Sequence, residues 1–258
     1  MKTGIITILT GMVALASCTV LVDCIEGNGD LKSEVRTASS FTAIANETSF
    51  HVVYVQGSEY TITVEAESNI LPYITTDIRG GALEISTVRG IHCLRCTTQP
   101  VITVTAPYIS ELVNAGSGDI VAGDLEGEDV KLVASGSGNI FAGAVSGEDI
   151  SVVVSGSGNI QTGEISSTTF KATLSGSGDL TVSGTTVNSR HVVSGSGSVY
   201  SANLVTKTAV VTMSGSGSVH TTVDDRLDAV ISGSGNIYLN GSPQVSLTRT
   251  GSGRIIYL

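Results

Sequence analysis

The sequence predicts an all-β fold, a parallel β-solenoid with coils of about 20 residues and GSG corners. Three observations carry this. The tetrad Ser-Gly-Ser-Gly or a close variant recurs eight times, from "GSGDI" at Gly116 to "GSGRI" at Gly251. The second glycines, Gly118, Gly138, Gly158, Gly178, Gly197, Gly217, Gly235 and Gly253, are spaced by 20, 20, 20, 19, 20, 18 and 18 residues. Between corners, apolar residues alternate with a period of two, which is strand chemistry. Stacking such units buries a continuous core that no single unit can bury alone. An antiparallel sandwich is the other architecture weighed, but hairpins do not need one corner sequence at a near-constant interval.

The first segment is a targeting signal. Met1-Lys2 gives a basic start, and "GIITILTGMVALAS" is an apolar run of secretory length, short for a membrane span. It ends in Leu15-Ala16-Ser17-Cys18, which resembles the bacterial lipobox, so residues 1–17 are expected to be a lipoprotein signal peptide and Cys18 the lipidated residue. Residues 18–34 then read as a lipid-anchored tether. The expected location is the bacterial cell envelope, as an outer-membrane lipoprotein facing either the periplasm or the cell surface, with the membrane touched through the lipid alone.

Residues 35–100 carry strands without the corner, as in "FTAIA", "SFHVVYVQG", "YTITVEA" and "ALEIST", and read as an irregular N-terminal β region. They fit either leading coils or a small sheet closing the stack. Upstream, "GNGDL" at Gly27 resembles a degenerate ninth corner. The segment "HCLRC" admits a redox pair, half a zinc site or a local disulfide. No helical pattern follows to lower a thiol pKa, and only His92 stands by as a further zinc ligand. A Cys93–Cys96 bridge closing a surface loop is therefore expected, with Cys24 unpartnered.

Residues 101–258 form the regular solenoid of eight GSG coils. Just after each corner stands an aliphatic residue: Ile120, Ile140, Ile160, Leu180, Val199, Val219, Ile237 and Ile255. This column should face a dry interior. Before the corners, inward columns hold residues such as Leu132, Val152 and Ala172, with His191 expected as a satisfied core residue. Asn114 and Arg249 break the pattern in the first and last copies, where water is within reach. The corner glycines are expected to supply positive φ at a sharp bend and to avoid the corners above and below. The short polar residue that follows (Asp119, Asn139, Asn159, Asp179) can bond to turn amides or along the stack.

The corner is not a nucleotide loop. "GSGNIF" lacks a third glycine, a lysine and a following helix. Calcium is set aside as well, because only Asp119 and Asp179 place a carboxylate there. No cofactor or metal is expected. The balance of 13 Lys+Arg against 23 Asp+Glu argues against nucleic acid.

The phrases "EVRTASSFTAI", "FHVVYVQGSEYTITVEA" and "NILPYITTDIRGGALEIS", with the eight corners, resemble the putative auto-transporter adhesin head GIN domain family over Glu34 to Leu258. The resemblance implies a right-handed parallel β-helix, exported and often lipid-anchored, and a role in adhesion. The expected function is a non-catalytic adhesive or structural surface module; right-handed β-helices also include polysaccharide lyases and hydrolases, so a carbohydrate-active enzyme is the alternative. Its candidate carboxylates, Glu128-Asp129, Glu148-Asp149 and Asp224-Asp225, read as surface charge instead, and no catalytic residue is assigned.

Two outward columns remain as candidate faces. One carries Phe141, Tyr200, His220 and Tyr238, rings able to meet a glycan or a surface protein. The other is β-branched throughout and includes Val133, Val153 and Val192, where polar residues would suit a solvated sheet. This valine face, or the apolar edge "RIIYL" at the C-terminus, is the expected contact for a homo-oligomer.

Overall fold

The computed structural model describes residues 24–91 and 93–258. Strands make up most of them, with one 3-10 turn at Leu71–Tyr73. From Glu111 onward the chain is a parallel solenoid, seven full turns separating the eight corners. In the sheet before the corner, Leu132 pairs with Val152, Val152 with Ala172, Ala172 with His191, His191 with Val211, and Val211 with Ala229. In the sheet after it, Ile120 pairs with Ile140 and the register runs through Ile160, Leu180, Val199, Val219 and Ile237 to Ile255. That column is fully buried from Ile120 to Ile237 and half-buried at Ile255, on the last coil. Leu125, Val145, Ile165 and Leu204 close the core on the third side.

The corner glycines answer to stacking rather than to φ. None of the GSG glycines has a positive φ, which corrects the expectation of a left-handed bend. A Cβ on Gly136 would instead run into the carbonyl oxygen of Gly116, and one on Gly138 into that of Gly118. The same collision repeats at each higher corner. The amides of Ser137 and Gly138 both donate to Gly116 O at 3.1 Å, so each bend hangs on the one beneath it. The following polar residues bond along the stack. Asn139 donates its backbone N–H to Asp119 Oδ1 at 2.8 Å, and Asn159 N and Asp179 N continue the ladder onto Asn139 and Asn159. These side chains are occupied in holding corners together.

A leading coil precedes the regular ones, and its corner contains no glycine. Ala43–Asn46 lies beneath Glu111–Asn114, and His51–Gln56 beneath Ile120–Ala122. Its corner is built by side chains: Asn46 Oδ1 accepts from Thr48 N and Oγ1, and Thr48 Oγ1 accepts from Phe50 N. Gly116 and Gly118 then pack onto the carbonyls of Thr48 and Phe50. Asn114 is consequently no end residue. It is fully buried and donates to Gly118 O at 2.7 Å and Asn139 O at 3.0 Å. Arg249, at the other end, is exposed as expected.

Antiparallel strands close the N-terminal end. Thr61–Glu67 pairs antiparallel with Val101–Ala106, Leu31–Thr37 with Thr61–Glu67, and Ile74–Arg79 with Ala82–Thr87. The leading coils and the closing sheet are therefore both present. Residues 25–26 and 31–37 are strands, so this part of the segment expected as a tether over 18–34 is paired structure. "GNGDL" is likewise no corner: Gly29, at φ 75°, donates its amide to Glu67 and leads into the edge strand.

The disulfide also differs from expectation. Cys93 is bonded to Cys24, 69 residues away, and Cys96 is a free, half-buried thiol. Leu94–Arg95 is a short strand pairing with Ile25–Glu26. An extended backbone carries residues three apart to about 10 Å, beyond disulfide reach, while parallel pairing brings Cys24 beside Cys93. Glu67 fastens the same region. Its carboxylate accepts from Thr97 Oγ1, Thr97 N and Gly29 N, and these bonds, led by the Thr97 hydroxyl, hold its pKa below the ordinary value against the opposing effect of burial.

Candidate binding face

The ring column forms on the sheet that follows the corner, because Tyr200, His220 and Tyr238 occupy one outward position in three successive coils. Parallel in-register strands set side chains about 4.8 Å apart, close to ring-stacking distance. The Tyr200 and His220 centroids are 5.1 Å apart with planes at 27°, and His220 and Tyr238 are 4.4 Å apart at 8°. The three rings thus lie face to face, and His220 has both faces covered. Partial burial lowers the His220 pKa, which favours the uncharged imidazole in the ladder. Phe141 is exposed but stands apart, since Gln161 and Thr181 separate it from Tyr200 in the column.

A groove of about 400 Å³ opens beside the ladder, lined by residues that include Gln161, Thr181, Val182, Ser183, Tyr200 and Asn203. Its origin is one missing residue. The coil from Gly178 to Gly197 has 19 residues between neighbours of 20. Register passes from Gln161↔Thr181 to Glu164↔Ser183 on one side, and from Thr181↔Tyr200 to Ser183↔Asn203 on the other. Val182 alone therefore stands opposite two residues of each neighbour, and it points inward, buried. The short coil has no outward residue to match Gly163 or Ala202, and the surface is indented there. Further round the same coil, Gly184 stands in register between Ile165 and Leu204 at φ 115°, where a Cβ would strike Ile165 O.

The valine column is in register across all eight coils, with Val133, Val153 and Val192 half-exposed and Val230 exposed. The acidic pairs are spread along outer edges. Glu128, Asp129, Glu148, Asp224 and Asp225 are exposed, and Asp149 pairs with Lys171 at 3.5 Å. Inside the prism, His191 and Ser189 are buried with no hydrogen-bond partner for either ring nitrogen or for Ser189 Oγ. His191 is a core residue, but not a satisfied one. Cys18 and His92 lie outside the described residues.

The family described as "Putative auto-transporter adhesin, head GIN domain" matches residues 40–243. The chain belongs to that family. Solved structures with the same fold include a "Putative lipid binding protein" from Parabacteroides distasonis, 26% identical, with a TM-score of 0.84 over 92% of this chain and 100% of that one. A "putative adhesin" from Parabacteroides merdae is 22% identical, with a TM-score of 0.83 over 92% and 99%. Another from Parabacteroides distasonis is 21% identical, with a TM-score of 0.78 over 92% and 100%. No curated protein matches the chain in sequence. The family name points to an envelope or surface protein without assigning catalysis. Among the described residues no helix is long and apolar enough to cross a membrane.

Proposed function

We propose that the chain is a lipid-anchored, non-catalytic adhesive module of the bacterial outer membrane. The observation that carries this reading is the outward-facing ring ladder on an in-register sheet, in a member of a family named for adhesins. A stacked solenoid holds outward side chains at fixed spacing, so contacts to a partner need little ordering on binding. The lipobox-like Leu15-Ala16-Ser17-Cys18 supports anchoring, and the Cys24–Cys93 bridge fits an oxidising compartment outside the cytoplasm. The valine column adds a surface suited to a second copy of the chain.

Metabolic labelling with an alkyne fatty acid tests the anchor. Label is expected on the wild-type chain and absent from Cys18→Ala, while protease treatment of intact cells reports which chains face outward. Unlabelled wild-type protein would remove the anchor from this reading.

A further inference from the structure

We propose that the groove beside Tyr200 is a binding site for one uncharged sugar ring, with the free face of Tyr200 as its stacking platform. This rests on the adhesive reading above and names the ligand class. One face of Tyr200 is covered by His220. The other is turned toward its register neighbour Thr181, which lines the groove. Tyr200 is 43% exposed, so part of its ring is accessible from the groove it lines. The axial C–H bonds on the apolar side of a pyranose carry partial positive charge and match the negative face of an aromatic ring.

The rest of the lining fits hydroxyl groups. The side chains of Gln161, Thr181, Ser183 and Asn203 make no hydrogen bond within the chain, although each lines the groove. Two amides and two hydroxyls can both donate and accept, as a sugar hydroxyl requires. No described Asp, Glu, Lys or Arg lines it, and burial lowers the pKa of the lining His220, which favours its uncharged form. A phosphate, sialic acid or ammonium group would find no counter-charge. The volume of about 400 Å³ lies in the range of small-ligand sites. Without the one-residue deletion the indentation would be filled, so the recognition surface follows from coil length.

The test is calorimetric titration of the full chain, extracted in detergent, with maltotriose, mannotriose, N-acetyllactosamine and sialyllactose, beside a glycan array. Neutral glycans are expected to bind, with affinity insensitive to salt. Tyr200→Ala should weaken binding at least tenfold. Thr181→Trp, which fills the groove and keeps Tyr200, should do the same, and the distant exposed Tyr108→Ala should change it less than twofold. Three results overturn the proposal: no neutral glycan binds, only charged glycans bind, or both groove variants bind as the wild type does. If cells carrying Tyr200→Ala and Thr181→Trp still adhere like the wild type, the groove fails and the adhesive reading stands. If wild-type cells adhere to nothing while the titration succeeds, the reverse holds.

Discussion

His191 is where the interior departs from its own rule. It sits between Ala172 and Val211 in the register, near Phe170 at 5.9 Å, and burial pushes its pKa down to about 4. The unfolded chain titrates near the ordinary 6.5. Between those values the unfolded state binds a proton that the folded state does not. Stability therefore rises with pH from about 4 to 6.5 and is flat above. The whole effect is about 3 kcal/mol. Replacing an orphaned polar group by an apolar one of similar size is neutral or stabilising. His191→Leu is expected to raise stability by about 1–3 kcal/mol at pH 7, with a larger gain at pH 5. Urea melts at the two pH values check this, and a variant less stable than wild type at both would refute it. The inward position of His191 is legible from the alternation alone. Its missing partners are not, because they depend on which side chains three strands bring together.

The corner is the element that repeats, and its glycines serve close approach. A methyl group on Gly176 would occupy the space of Gly156 O. Gly176→Ala is therefore expected to cost about 1–3 kcal/mol or more, whereas the adjacent exposed Ser175→Ala should stay within about 0.5 kcal/mol. Thermal melts of the two variants decide it, and equal melting temperatures would show that the corners are looser than the carbonyl contacts imply. Corners of this kind are readable in a sequence because every copy meets the same neighbour and needs the same residue. The leading corner hides for the converse reason: Asn46 and Thr48 build the turn from side chains, and nothing in "NETSFH" repeats. The ring column is visible by position, but face-to-face stacking closes both faces of His220 and one face each of Tyr200 and Tyr238, and of these two tyrosines it is Tyr200 that lines the groove. The interval of 19 was also plain, yet only the register beside Val182 turns a missing residue into a groove.

At the scale of the whole molecule, the two ends differ. Antiparallel strands cover the first turn, while the last coil leaves Leu247 and Tyr257 exposed at 43% and 63%. The closing strands themselves are legible, but the pairing of Leu31–Thr37 and Val101–Ala106 with Thr61–Glu67 and the Cys24–Cys93 bond are not, because they join segments far apart in the chain with no period to betray them. The valine column runs the length of the prism and offers a ridge of branched side chains to a second copy. Light scattering at tens of micromolar is expected to give at least a dimer, reduced to monomer by threonine at Val133, Val153 and Val192. A wild-type monomer would remove that contact.

The bridge from Cys24 also sets a leash. With an acyl chain on Cys18, six peptide units connect the lipid to the bonded cysteine, a reach of at most about 20 Å. The body would be moored at its antiparallel end, close against the headgroups, and its grip would be short in range. Only molecules already at the cell's own skin, or pressed against it, would come within its hold.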